Sequence, residues 1–210
     1  MIDPTRQIGA TLREVNSRDH EGREARVIVA SRTYDTSVDD LWDALTNGER
    51  IPRWFLPISG DLRLGGRYQF EGNAGGEITA CEPPRRLAAT WEFGGGVSWV
   101  TLNLAKDPAG GARLELEHVA HVDDETWQKF GPGAVGIGWD GGFMGLGEHL
   151  ASGEAVDRAE ARAWMASGEG KAFSRRSSEA WLAAWLASGA EETMARAAAD
   201  RTTAFYTGEG

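Results

Sequence analysis

Arg86-Leu87-Ala88-Ala89-Thr90-Trp91-Glu92-Phe93, Gly94-Gly95-Gly96, Val97-Ser98-Trp99-Val100-Thr101-Leu102-Asn103-Leu104-Ala105-Lys106, Asp107-Pro108-Ala109-Gly110-Gly111 and Ala112-Arg113-Leu114-Glu115-Leu116-Glu117-His118-Val119-Ala120-His121-Val122 follow one another without a break. The long pieces are alternating runs rich in β-branched and aromatic residues, and the short pieces are turn chemistry. Runs joined by a few Gly, Asp and Pro residues pair antiparallel, because a parallel crossover needs a dozen or more residues. Two earlier runs, Gly66–Glu71 and Gly76–Glu82, extend the pattern to a meander of about five strands. A period of two puts Tyr68 and Phe70 on one face of their strand, Leu87, Ala89, Trp91 and Phe93 on one face of theirs, and Val97, Trp99, Thr101 and Asn103 on one face of the next. His118 shares a face with Leu114 and Leu116.

Upstream, Arg26–Tyr34 reads as a strand, with 9–15 as its partner across a turn near His20-Glu21-Gly22. Thr36 or Ser37 then caps a helix with Asp39 and Asp40 in its first turn and Val38, Leu41, Trp42 and Leu45 on its apolar face. Asn47-Gly48 ends it, and a short second helix runs to Trp54-Phe55 before Pro57. After Pro132 a long helix covers about 134–151. Beyond residue 153 the chain is Ala-rich and lacks Pro. Its Ala-Ser-Gly triplets punctuate helices at about 154–166, 170–187 and 190–206. Helices against one face of an antiparallel sheet make an α+β fold.

Several segments in this order resemble the heat-shock-protein-90 ATPase activator homologue family of the START-like (SRPBCC) superfamily: Tyr34–Thr46, Arg53-Trp54-Phe55, Gly60–Tyr68, Glu82–Leu87, Thr90-Trp91, Leu116-Glu117-His118 and Gly138-Trp139. The likeness covers about 25–152. It implies a helix-grip fold, a curved antiparallel sheet around a long C-terminal helix with a cavity between them. Residues 1–24 are then a lead able to add a strand, and 153–210 are a helical extension packed on the domain. The resemblance does not carry co-chaperone activity with it, because 24 residues before the match are too few for the second domain of the eukaryotic activators.

The 210 residues hold 22 Lys and Arg against 32 Asp and Glu, a net charge of −10 that disfavours nucleic acid and anionic membranes as partners. No apolar run is long enough to insert in a membrane, no signal segment opens the chain, and the expected location is cytoplasmic. A single cysteine, Cys81, excludes a disulfide framework. Nine tryptophans and 28 glycines are the unusual features.

Motifs for chemistry fail on context. Gly136-Ile137-Gly138-Trp139-Asp140-Gly141 spells a dinucleotide fingerprint, but a loop precedes it and no parallel strand follows. His118 and His121, three apart on a strand, point to opposite faces and make no metal pair. Asp123-Asp124-Glu125 lacks the spacing of a calcium loop and suits a turn or a helix cap. No cofactor, metal or catalytic constellation is expected.

The leading expectation is an apolar small molecule bound in the sheet-helix cavity, against Trp54, Phe55, Tyr68, Phe70, Trp91, Trp99, Trp139 and Phe143. His118 is the titratable group facing it, with Thr101 and Asn103 as further polar groups. The same faces fit a filled core, and sequence does not separate the two. A chaperone-binding module and a cyclase or hydratase using His118 as base are the alternatives. Monomer and homodimer both remain open. The extension is expected to pack over the Gly-rich helix.

Overall fold

The computed structural model describes residues 3–209. Its elements run α1 (Pro4–Gly9), β1 (Thr11–His20), β2 (Arg23–Tyr34), α2 (Val38–Thr46), a 3-10 turn (Ile51–Arg53), β3 (Ile58–Gly60), β4 (Arg67–Phe70), β5 (Gly75–Glu82), β6 (Arg86–Phe93), β7 (Gly96–Lys106), β8 (Ala112–Ala120), α3 (Asp124–Phe130), α4 (Gly133–Ser152), α5 (Arg158–Ala166), α6 (Gly168–Ala187) and α7 (Glu192–Thr207). The strands form one antiparallel, curved sheet in the order β1-β2-β8-β7-β6-β5-β4-β3. With α4 this is the helix-grip, α+β fold expected from the alternating runs.

Local chemistry sets many of the boundaries. Ser37 caps α2 by accepting from the Asp40 amide, and Asp123 caps α3 by accepting from Thr126. The acidic triplet is therefore a helix start. Four expectations need correction. The helix expected from about 154 begins at Arg158, because Asp157 caps it by accepting from the Ala159 and Glu160 amides. The second short helix is a single 3-10 turn, because Pro52 at its start and the nearby Pro57 leave no room for more. The first strand begins at Thr11 and reaches His20. The last helix, expected from about 190, starts at Glu192, because the Glu191 carboxylate accepts from the Thr193 and Met194 amides.

The chain divides into two compact units that do not follow sequence order. One holds the residues through Ala30, His121–Gly141 and those from Asp157 onward; the other holds Ser31–Ala120 and Gly142–Val156. β2 and α4 each contribute to both.

In the first unit, Asp140 of α4 is 3% exposed and receives four donors. Arg13 of β1 binds it through Nε at 3.2 Å and Nη2 at 2.9 Å, Trp181 Nε1 donates at 3.1 Å, and the Ser177 hydroxyl donates as well. Burial pushes its carboxyl up, while Arg13, Ser177 and Trp181 oppose that. Every partner is a donor, so the ionised form is the one this geometry accommodates. Gly136, one turn earlier on the same helix, faces the Trp181 indole: a Cβ there would lie 2.4 Å from the ring. The fingerprint-like segment is thus a contact surface, in which glycine admits an indole and aspartate anchors it.

In the second unit, α4 packs on the turn between α2 and β3. A Cβ at Gly145 would sit 2.6 Å from the Trp54 carbonyl oxygen. Arg50 binds Asp40 at 2.7 Å and Asp43 at 3.0 Å, and its Nε donates to His149 Nε2 at 3.2 Å. His149 Nδ1 is then the protonated nitrogen and donates to the Glu154 carbonyl at 2.7 Å. These bonds hold α2, the turn and the end of α4 in one arrangement.

Candidate ligand-binding face

The candidate site lies in the second unit, on the sheet face that carries Tyr68, Phe70, Trp91 and His118. Register determines which residues share it. Trp91 of β6 pairs with Ser98 of β7, and Ser98 pairs with Ala120 of β8, two residues beyond His118. Tyr68 pairs with Gly76 of β5. Alternation then puts Tyr68, Phe70, Leu87, Ala89, Trp91, Ser98, Val100, Leu116 and His118 together.

The aromatic rings form a continuous run. Trp54 and Phe55 are 5.4 Å apart between centroids, and Phe55 meets Phe70 edge-on at 5.1 Å. Phe70 touches Tyr68 at 5.4 Å and Trp91 at 5.7 Å, and Trp91 reaches the His118 ring at 6.4 Å. These separations lie in the range of favourable edge and tilted aromatic contacts. Tyr68 and Phe70 are buried, while Trp54, Phe55 and Trp91 are only half-buried. Gly142 of α4 lies beside this run, and a Cβ there would make ordinary van der Waals contact with the Phe55 ring at 3.6 Å.

The polar groups are few and mostly committed. The Tyr68 hydroxyl donates to the Thr90 carbonyl at 2.7 Å, and burial pushes its ionisation up. Trp54 Nε1 donates to the Ala44 carbonyl at 2.9 Å. His118 Nε2 lies 2.8 Å from Ser98 Oγ, and Ser98 donates its proton to the Trp91 carbonyl at 3.1 Å. A hydroxyl has one proton, so Nε2 must supply the other and His118 is the Nε2–H tautomer. Burial lowers its ionisation to about 4, and the ring is neutral at neutral pH.

Six of the expected site residues meet here: Trp54, Phe55, Tyr68, Phe70, Trp91 and His118. Three do not join them. Trp99 pairs with Thr90 and Val119 and so points to the opposite sheet face, together with Thr101 and Asn103. Phe143 packs edge-on against Tyr34 at 6.5 Å, and its carbonyl accepts from the Tyr34 hydroxyl at 3.2 Å. Trp139 belongs to the other unit. Ser98 was not foreseen. Its pairing with Trp91 is readable from the short Gly turn between them, but its bond to His118 needs the β7–β8 register. Among the described residues no group of three His, Cys, Asp or Glu side chains is placed to hold a metal. No described helix is long and apolar enough to cross a membrane.

The model of the family described as "Activator of Hsp90 ATPase homolog 1-like protein" matches residues 35–151, which takes in every member of the aromatic run. The chain belongs to this family. Among solved structures it is similar to CalU16 from Micromonospora echinospora. The crystal structure of CalU16 is 36% identical with a TM-score of 0.66, over 83% of this chain and 98% of CalU16. The solution structure of the same protein gives 35% and 0.70, over 86% of this chain and 97% of CalU16. That coverage exceeds what residues 1–152 can supply, so the likeness takes in part of the helical extension. Protein MLL2253 from Mesorhizobium loti shares the fold at 23% identity and a TM-score of 0.53, over 62% of this chain and all of that one, 100%. No curated protein matches the chain. Within the Hsp90 ATPase activator-like family, then, this member carries an aromatic sheet face with one buried neutral histidine and helices beyond the family's matched region.

Proposed function

We propose that this START-like protein binds an apolar, aromatic small molecule on the face formed by Trp54, Phe55, Phe70 and Trp91. The observation that carries the reading is the mixed burial of one continuous ring cluster. Tyr68 and Phe70 are packed away, yet Trp54, Phe55 and Trp91 keep aromatic surface accessible beside them. Removing apolar surface from water gains about 25 cal/mol per Å² before the costs of association. With the neighbouring hydroxyl and indole donors already engaged, recognition would rest on shape and stacking. The net charge of −10 favours an uncharged or cationic ligand over a nucleic acid. We place this activity in the cytoplasm.

The test is an NMR titration of the full chain with 1-naphthol, a planar bicyclic probe. The indole resonances of Trp54 and Trp91 should shift in a saturable way. Trp91→Ala should weaken binding about tenfold, the equivalent of ~1.4 kcal/mol, and Trp99→Ala, on the opposite face, should leave it unchanged. Shifts that do not saturate, or an affinity that Trp91→Ala leaves unchanged, would remove the proposal.

The family description favours a second reading, an interaction module that stimulates Hsp90. Hsp90 ATP turnover that stays constant on adding the protein would remove that one. A cyclase or hydratase role for His118 is less well supported, because its Nε2 proton is given to Ser98 and burial opposes its protonation. Full activity in His118→Ala on any substrate found would eliminate it.

A further inference from the structure

We propose that Phe93 is the outer end of the ligand face and selects an elongated, uncharged ligand with three or more aromatic rings in line. This rests on the reading that Phe70 and Trp91 bind an aromatic molecule, and it adds the size of that molecule and the residue that senses it. β6 ends at Phe93 and β7 begins at Gly96. Gly94 and Gly95 both have positive φ, which closes the hairpin in two residues and keeps the ladder regular to its last pair, Phe93 with Gly96. Alternation therefore puts the Phe93 side chain on the same face as Trp91, two residues and about 7 Å along the strand.

Exposure rises along this face toward the hairpin. Phe70 is 8% exposed, Trp91 is half-buried, and Phe93 is 61% exposed. The cross-strand neighbour of Phe93 is Gly96, which has no side chain to cover the ring. Charge is directed away from this end of the face. Glu92, the residue between Trp91 and Phe93, points to the opposite side of the sheet and binds Arg67 there at 2.6 Å.

A single exposed apolar side chain needs no explanation. Phe93 differs because it continues a run of rings, in line with Phe70 and Trp91, and is the exposed member of that line. A two-ring ligand seated on Phe70 and Trp91 leaves Phe93 uncovered. A third ring added along β6 lies over it and gains one further aromatic contact. With the nearby ion pair on the far side of the sheet, nothing at this end calls for a charged substituent.

Calorimetric titration of the full chain with 2-naphthol and with 6-phenyl-2-naphthol, which adds a third ring in line, tests this. The longer probe should bind more tightly. Phe93→Ala should weaken the longer probe about three- to tenfold, the worth of one aromatic contact, and leave 2-naphthol unchanged. Phe93→Tyr keeps the ring and should retain the native preference. In NMR spectra of the native chain, the Gly94 and Gly95 amides should shift with the longer probe and not with the shorter, a readout that needs no variant. Phe93→Ala that weakens neither probe, or both equally, overturns the role of Phe93, as do hairpin amides indifferent to the longer probe. Those outcomes leave the aromatic face standing wherever Trp91→Ala still weakens 2-naphthol. If neither probe binds saturably, the reading of the face fails and this inference falls with it.

Discussion

His118 is held neutral by its surroundings, and this makes it a source of acid sensitivity. Its folded value of about 4 lies below the ordinary 6.5. Between those two pH values the unfolded chain takes up a proton that the folded chain refuses. Stability is therefore unaffected above pH 6.5 and falls as pH drops toward 4, by up to about 3 kcal/mol from this one group. Carboxylates such as Asp40, held down by Arg50, also lose their stabilising effect in acid, but they do so in any variant that keeps them. Urea unfolding of the native chain and of His118→Gln at pH 7, 6 and 5 isolates the histidine. The native chain should lose more stability than the variant on acidification, and parallel profiles would contradict the assignment. That His118 sits inside was legible from its face-sharing with Leu114 and Leu116. Its tautomer was not, because Ser98 comes from a neighbouring strand.

At the scale of the element, α4 is the instructive case. Its glycines look like a defect when read as helix propensity, since each costs about 1 kcal/mol against alanine. Their roles differ once neighbours are known. Gly136 makes room for Trp181 and Gly145 for the Trp54 carbonyl, whereas Gly141 has nothing within 4 Å of where a Cβ would be. Gly136→Ala should therefore destabilise the protein by about 1–3 kcal/mol through overpacking. Gly141→Ala should stabilise it by up to about 1 kcal/mol. Thermal unfolding of the two variants checks both signs, and the same sign in both would show that packing is not what distinguishes these positions. The sequence announced that something approaches this helix closely. It could not say which glycine meets an indole, a backbone carbonyl or open space.

For the whole molecule, the segment from Asp157 onward is internal to one compact unit with β1, the start of β2 and the first half of α4. It supplies two donors to the buried Asp140 and the indole that fills the Gly136 surface. Deleting 157–210 should leave that carboxylate short of partners, and removing part of such a buried network costs about 3–5 kcal/mol. It should also expose apolar surface, so the truncated chain is expected to aggregate. A soluble truncation with native near-ultraviolet circular dichroism would refute this. By itself the sequence determined the antiparallel meander and the capped helix α2, while the helix-grip class followed from the family resemblance. Period-two alternation, turn residues and capping side chains act over a few neighbours, and those neighbours are contiguous in the chain. Only the tertiary structure decided which aromatics meet. Phe55, Phe70 and Trp91 come from separate segments, and their rings meet only once those segments pack. Likewise Asp140 finds its partners at positions 13, 177 and 181, distant in sequence, because a buried charge must gather donors from whichever elements pack around it.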